Sequence, residues 1–207
     1  MHSSHVWEPE SLRGREQVFL AWEPAGNDVV VRVDAVLDPE VLRVHIPDGR
    51  TTPLHVPNST YDLSFRPDGK KVLYATTDGV GWGSELWIAD PDGSNGRRLL
   101  QDPDNLVAFA SWSPDGQNLA YISMADNTIP FIVGDLWVGE GDGSGLRRIA
   151  SVDAGHGFAP AWSPDGKAIA FVRRENPGSL QADIHAEALV SNVYVASLGD
   201  GSVAPLK

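Results

Sequence analysis

The chain has 207 residues, 42% of them hydrophobic and 21% charged, enough to bury the core of one large all-β domain or two small ones. Its formal net charge of −12 repels phosphate backbones, which argues against nucleic acid and against polybasic membrane attachment. The absence of cysteine excludes disulfides, thiolate metal sites and cysteine nucleophiles, and no stretch is apolar enough for a membrane-spanning helix.

Residues 1–16 form an N-terminal tail of His, Ser, Glu, Pro and Arg with no apolar run, so no signal peptide is visible and the compartment stays open. From residue 17 onward one pattern repeats. Phe19-Leu20-Ala21-Trp22-Glu23-Pro24-Ala25-Gly26 is a degraded first copy, followed by Val41-Leu42-Arg43-Val44 and Pro47-Asp48-Gly49. The second copy reads Leu63-Ser64-Phe65-Arg66-Pro67-Asp68-Gly69-Lys70, then Val72-Leu73-Tyr74-Ala75, then Glu85-Leu86-Trp87-Ile88-Ala89 and Pro91-Asp92-Gly93. The third has Ala110-Ser111-Trp112-Ser113-Pro114-Asp115-Gly116, Leu119-Ala120-Tyr121-Ile122 and Asp135-Leu136-Trp137-Val138. The fourth has Pro160-Ala161-Trp162-Ser163-Pro164-Asp165-Gly166, Ile169-Ala170-Phe171-Val172 and Asn192-Val193-Tyr194-Val195. Pro67, Pro114 and Pro164 lie 47 and 50 residues apart.

Each copy encodes two hairpins. Proline presets φ near −65° at the first turn position, Asp accepts from its own backbone, and Gly takes positive φ. Two hairpins give four strands, and four-stranded units of roughly 40 to 50 residues are propeller blades. The expected fold is therefore an all-β β-propeller domain over 17–207, built of four-stranded antiparallel blades at about 17–58, 59–102, 103–151 and 152–207.

The aromatic-Ser-Pro-Asp-Gly block, the aromatic third strand, the Asp-Gly turn and the closing Arg-Arg-Leu (Arg97-Arg98-Leu99) resemble the WD-repeat-like units of TolB-like β-propellers. The resemblance covers nearly the whole chain after residue 16. It implies a six-bladed ring, used for protein–protein contacts, periplasmic or otherwise extracytoplasmic. The repeat also resembles the propellers of prolyl-oligopeptidase-type and tricorn-type serine peptidases, whose catalytic part is a separate domain. Four blades fall short of six, and a full ring needs roughly 280–300 residues at this repeat length. The chain is accordingly expected to be a fragment of a longer propeller, with a self-contained four-bladed ring as the alternative.

Searching for chemistry returns little. No Gly-x-Ser-x-Gly elbow occurs. Asp90 to Gly96 resembles a calcium loop, but Gln101 stands where the last ligand would be, so it reads as a turn. His45 and His55 are placed on the two strands of one hairpin, where they can be neighbours but lack a third ligand. The first strands offer only Asp62 as a charged group, which leaves a channel enzyme little to work with. No cofactor, metal or catalytic residue is assigned.

Aromatics that recur at one repeat position are read as packing between blades, which leaves the loops that break the pattern as candidates for binding. Those loops supply Trp82 between Gly81 and Gly83, Asp126, Asn127, Phe131 after Pro130, Asp153, His156 between Gly155 and Gly157, and His185. His185 falls in an insertion whose Leu180, Ile184 and Leu189 are spaced for a short helix. The expected function is a noncatalytic module that captures a protein or peptide through this loop face. The competing reading has Trp82 and Phe131 folded back as local caps. Self-association is expected if the propeller is open, and the alternative function is the propeller part of a serine peptidase.

Overall fold

The computed structural model describes residues 12, 15–34, 39–79, 81–129, 132–155 and 159–206. They form four four-stranded antiparallel sheets, each with its strands in chain order. The first is β1 (Glu16–Trp22), β2 (Asp28–Asp34), β3 (Glu40–His45) and β4 (Thr51–Pro53). The second is β5 (Thr60–Phe65), β6 (Val72–Thr76), β7 (Ser84–Ala89) and β8 (Arg97–Asp102). The third is β9 (Asn105–Trp112), β10 (Asn118–Ala125), β11 (Val133–Glu140) and β12 (Arg147–Asp153). The fourth is β13 (Ala161–Trp162), β14 (Ala168–Arg174), β15 (Ser191–Ser197) and β16 (Val203–Pro205), with α1 (Leu180–Ile184) and a 3-10 turn at Ala186–Ala188 inserted between β14 and β15.

The inner hairpin turns follow from their chemistry. Gly69, Gly116 and Gly166 take φ of 70°, 69° and 70°, and their amides donate back to Arg66, Ser113 and Ser163. Asp68, Asp115 and Asp165 each accept from the amide two residues on, at 3.0–3.1 Å. The first blade has Ala25 in that place and no such side-chain bond can form. The Asp90 loop is likewise a turn, closed by Gly93 N–H to Asp90 O, with the Asp90 carboxylate taken up by Lys71 and Asn95.

Strand alternation gives each blade two apolar faces, and each face meets a neighbouring blade. Val30, Val41 and Leu54 pack on Leu63, Phe65, Val72 and Tyr74. Leu73, Ala75 and Leu86 pack on Val107, Trp112, Leu119 and Tyr121. Ala120, Ile122, Leu136 and Val138 pack on Ile169, Phe171 and Ala196. The fourth apolar cluster lies on the outer side of the first blade, where Leu12 covers Val31, Val33, Leu42 and Val44. No cluster among the described residues joins the fourth blade to the first, so the sheets form an open fan and not the four-bladed ring.

Repeated polar contacts fasten the junctions. The Trp112 indole N–H donates to Ser64 O (3.2 Å) and that of Trp162 to Ser111 Oγ (3.3 Å). Arg97 reaches Asp142 O and Arg147 reaches Leu198 O, each one blade ahead. The middle junction has more: the Tyr61 hydroxyl donates to Val107 O, and the Asp62 carboxylate accepts from Ala110 N–H at 2.9 Å. Burial between blades pushes the Asp62 carboxyl up and the Tyr61 hydroxyl up to about 12. Asp62, the one charged group expected on the first strands, is thus a tie between blades, and β1 adds Glu16 at its start.

Candidate functional site

In antiparallel four-stranded blades, the loops from second to third strand share one edge of the fan with the links from one blade to the next. These loops hold most of the large apolar side chains that remain exposed away from the fan's two ends. Trp82 is 73% exposed, Leu180 78% and Ile184 61%. Ile129 adds a smaller tip between them in chain order.

Trp82 does not fold back as a cap. Its loop is built around two ties. Thr77 Oγ1 donates to Gly83 O at 2.7 Å, and Trp82 N–H donates to Gly79 O at 3.2 Å. The second tie comes from the neighbouring blade: Asp126 Oδ2 accepts from Gly81 N–H at 2.7 Å and from Gly83 N–H at 2.8 Å. These two amides hold the Asp126 carboxyl below the usual carboxylate range. Gly83 has φ +71°, and a Cβ there would lie 2.1 Å from Asp102 O. Only glycine fits, so the indole stands on a backbone pinned at both neighbours.

The insertion of the fourth blade is held by its base. Arg174, buried, pairs with Asp183 at 2.8 Å, and Asn176 bonds Ala188 O and Val190 N–H. Ser179 caps α1 by accepting from Ala182 N–H. Ala182 is the buried residue of this helix, while Leu180 and Ile184, one turn apart, face outward. The short helix forms over Leu180 and Ile184 as expected but ends before Leu189, and the apolar pair points away from the blade.

The other candidate residues separate. Asn127 bonds within its own loop, its Oδ1 accepting from Ile129 N–H. Asp153 is 1% exposed and accepts from Ser191 Oγ at 3.0 Å, so it links the third blade to the fourth instead of adding to an exposed patch. His185 is exposed at the end of α1, 3.8 Å from Glu187. Phe131 and His156 lie outside the described residues. His45 and His55 do not meet: His45 contacts Asp28 at 2.6 Å, whereas β4 ends at Pro53 and the chain carries His55 to Asp92 of the next blade. No group of three or more His, Cys, Asp or Glu suited to a metal ion occurs among the described residues.

No protein-family model matches the chain. It is 28% identical over 99 residues to the Tol-Pal system protein TolB of Anaeromyxobacter dehalogenans, a match covering 44% of this chain and 22% of that protein. Among solved structures it is similar to TolB from Acinetobacter baumannii, with a TM-score of 0.65 and 19% identity over 93% of this chain and 44% of that one. It is also similar to the β-propeller domain of the trilobed protease from Pyrococcus furiosus, with a TM-score of 0.59 and 14% identity over 94% of this chain and 57% of that one. The chain thus spans less than half the length of either TolB relative it matches. Its in-register repeats, its antiparallel four-stranded blades and these likenesses show part of a β-propeller and support a TolB-like propeller family.

Proposed function

We propose that the chain is a noncatalytic propeller module that binds a protein or peptide segment through its loop rim, with Trp82 as the central anchor. The observation that carries this reading is a 73% exposed indole on a loop fixed by Asp126 of the next blade. A rigid aromatic loses little conformational freedom on binding and is the residue type most often found at the energetic centre of an interface. Leu180 and Ile184 extend the apolar contact along the same rim. Charge supports the same surface. The rim loops carry Asp78, Asp102, Asp104, Glu175 and Glu187. The segment that fits is apolar with basic flanks. The peptidase-propeller alternative rests on fold likeness alone and is carried by no residue of this chain.

Selection of a displayed random peptide library on the wild-type chain tests this reading. Enriched peptides should combine aromatic or aliphatic anchors with Lys or Arg, and should lose about thirtyfold in affinity on Trp82→Ala, as a hot-spot residue does. Leu180→Ser should weaken them less. A pool that binds Trp82→Ala as well as wild type, or no enrichment at all, contradicts the proposal.

A further inference from the structure

The turn between β7 and β8 departs from its counterpart in the third blade at one residue. Asp92-Gly93-Ser94 and Asp142-Gly143-Ser144 build the same turn. Asp90 N–H donates to Ser94 O and Glu140 N–H to Ser144 O, both at 2.9 Å. The Asp92 and Asp142 carboxylates accept from the amides of Ser94 and Ser144. The next residue has positive φ in both blades, 63° at Gly145 and 54° at Asn95. Glycine meets that demand without strain, and asparagine is among the few other residues that tolerate it. The turn itself therefore does not call for asparagine. What Asn95 adds is a side-chain bond: its Nδ2 donates to Asp90 Oδ2 at 2.7 Å, while Lys71 holds Asp90 Oδ1 at 2.8 Å.

Asn95 and Gly96 are the one Asn-Gly pair in the chain, and both are exposed. Glycine presents its backbone nitrogen with no Cβ to obstruct it, and a Cβ at Gly96 would lie 2.9 Å from Tyr74 Oη. Gly96 N–H takes no part in the backbone bonds of the turn, unlike the amides of Asp90 and Gly93. We propose that Asn95 is a site of spontaneous deamidation and that the Asp90 carboxylate is its brake. The Gly96 nitrogen attacks Asn95 Cγ, the new N–Cγ bond closes a cyclic succinimide, the Cγ–Nδ2 bond breaks, and the displaced proton leaves with ammonia. Water then opens the ring at either carbonyl, giving aspartate or isoaspartate. No oxidant, metal or enzyme is needed. In the folded turn the bond to Asp90 draws the side-chain amide away from Gly96 N, so the reaction proceeds through conformers in which that bond is open.

Either product changes the junction between the second and third blades. A carboxylate replaces the amide that donated to Asp90, and two like charges then face each other. Isoaspartate also routes the main chain through Cβ and lengthens the turn by one atom just ahead of β8. That strand opens with Arg97, whose guanidinium crosses to Asp142 O at 2.8 Å. Asn95 and Arg97 both line the cleft of about 570 Å³ between these blades, together with Arg66, Gln117 and Asp142. Deamidation is therefore a one-way chemical change that loosens a cross-blade tie. This inference is independent of the loop rim and of what that rim binds.

Ageing the full chain at mildly alkaline pH, with peptide mapping that separates aspartate from isoaspartate, tests it. Both products should accumulate at position 95 while the other asparagines remain amides. Asn95→Gly, which matches Gly145 of the third blade, should abolish the change and keep the fold. Asp90→Ala should convert about fivefold faster, the factor that loss of one net hydrogen bond confers. Near-UV circular dichroism checks folding, and Asp90→Asn, which removes the charge from the same bond, replaces Asp90→Ala if that variant does not fold. The aged fraction, richer by one negative charge, separates on an anion exchanger and should exchange amide hydrogens faster across β8 than the fresh chain. Three results would each overturn the proposal. The folded chain could show no conversion at Asn95 over a time in which residues 88–102 as a free peptide convert fully. The folded Asp90 variant could convert no faster than wild type, or the aged fraction could keep unchanged exchange across β8.

Discussion

Asp126 holds the exposed indole in place from across a blade junction, because one of its oxygens takes both amides that flank Trp82. Asp126→Ala should therefore speed hydrogen exchange at Gly81 and Gly83 while leaving the Val107 amide, tied to Ser84 Oγ, unchanged. The same tie gives a pH dependence of known sign. The folded carboxyl is depressed below its unfolded value of about 3.9, so its contribution is complete above that value and is lost as pH falls through the folded pKa. The Gly81 and Gly83 amides should keep their protection at pH 5 and above and lose it only below about pH 4. Equal protection in Asp126→Ala and wild type would show that the loop is held by Thr77 and its own backbone bonds. The flanking glycines of Trp82 marked its loop as a candidate, but whether the indole stands free or folds back was left open by the sequence. The role of Asp126 was not legible, since its partners lie more than 40 residues away and no local pattern connects them. Asp153 was misread for the related reason that an acid in a loop is usually solvated, whereas the end of β12 is covered by the fourth blade.

At the scale of the element, burial is set by repeat position and by whether a neighbour exists to fill it. Leu136 and Val193 occupy equivalent places on β11 and β15, yet only Leu136 is enclosed. Leu136→Ala should cost about 2–5 kcal/mol in a denaturant titration, as buried leucines do. Val193→Ala in the monomeric chain should cost less than about 1 kcal/mol. A comparable loss at both positions would mean that the free face is covered in solution. The strands and their inner turns could be read directly because Pro-Asp-Gly fixes the turn and alternation fixes the faces. The helix in the insertion could also be read from the Leu180 and Ile184 spacing. Which way that pair points could not, because Arg174 and Asn176 orient the insertion through bonds between polar groups that periodicity does not register.

As a whole, the molecule is a fan whose order comes from three blade junctions and whose acidic rim and blade faces occupy separate surfaces. Binding of basic-flanked peptides at the acidic rim should weaken as salt is raised above about 0.15 M, where the Debye length falls below roughly 8 Å. The repeat was evident from the spacing of Pro67, Pro114 and Pro164, and the remaining blade from the degraded copy at Phe19 to Gly26. That the fan stays open was left as one of two outcomes, since it depends on the curvature of blade packing and not on any local motif.

The central claim is that repeat-equivalent side chains are buried at blade junctions and exposed at the ends and the rim. Hydroxyl-radical footprinting of the chain, at a dilution where sedimentation shows a single copy, measures this residue by residue. Trp22, Trp82 and Leu180 should be oxidised readily, while Trp112, Leu86 and Leu136 should be protected. Protection of Trp22 equal to that of Trp112 in the single copy would contradict the account, because it would mean that the first blade's free face is already filled.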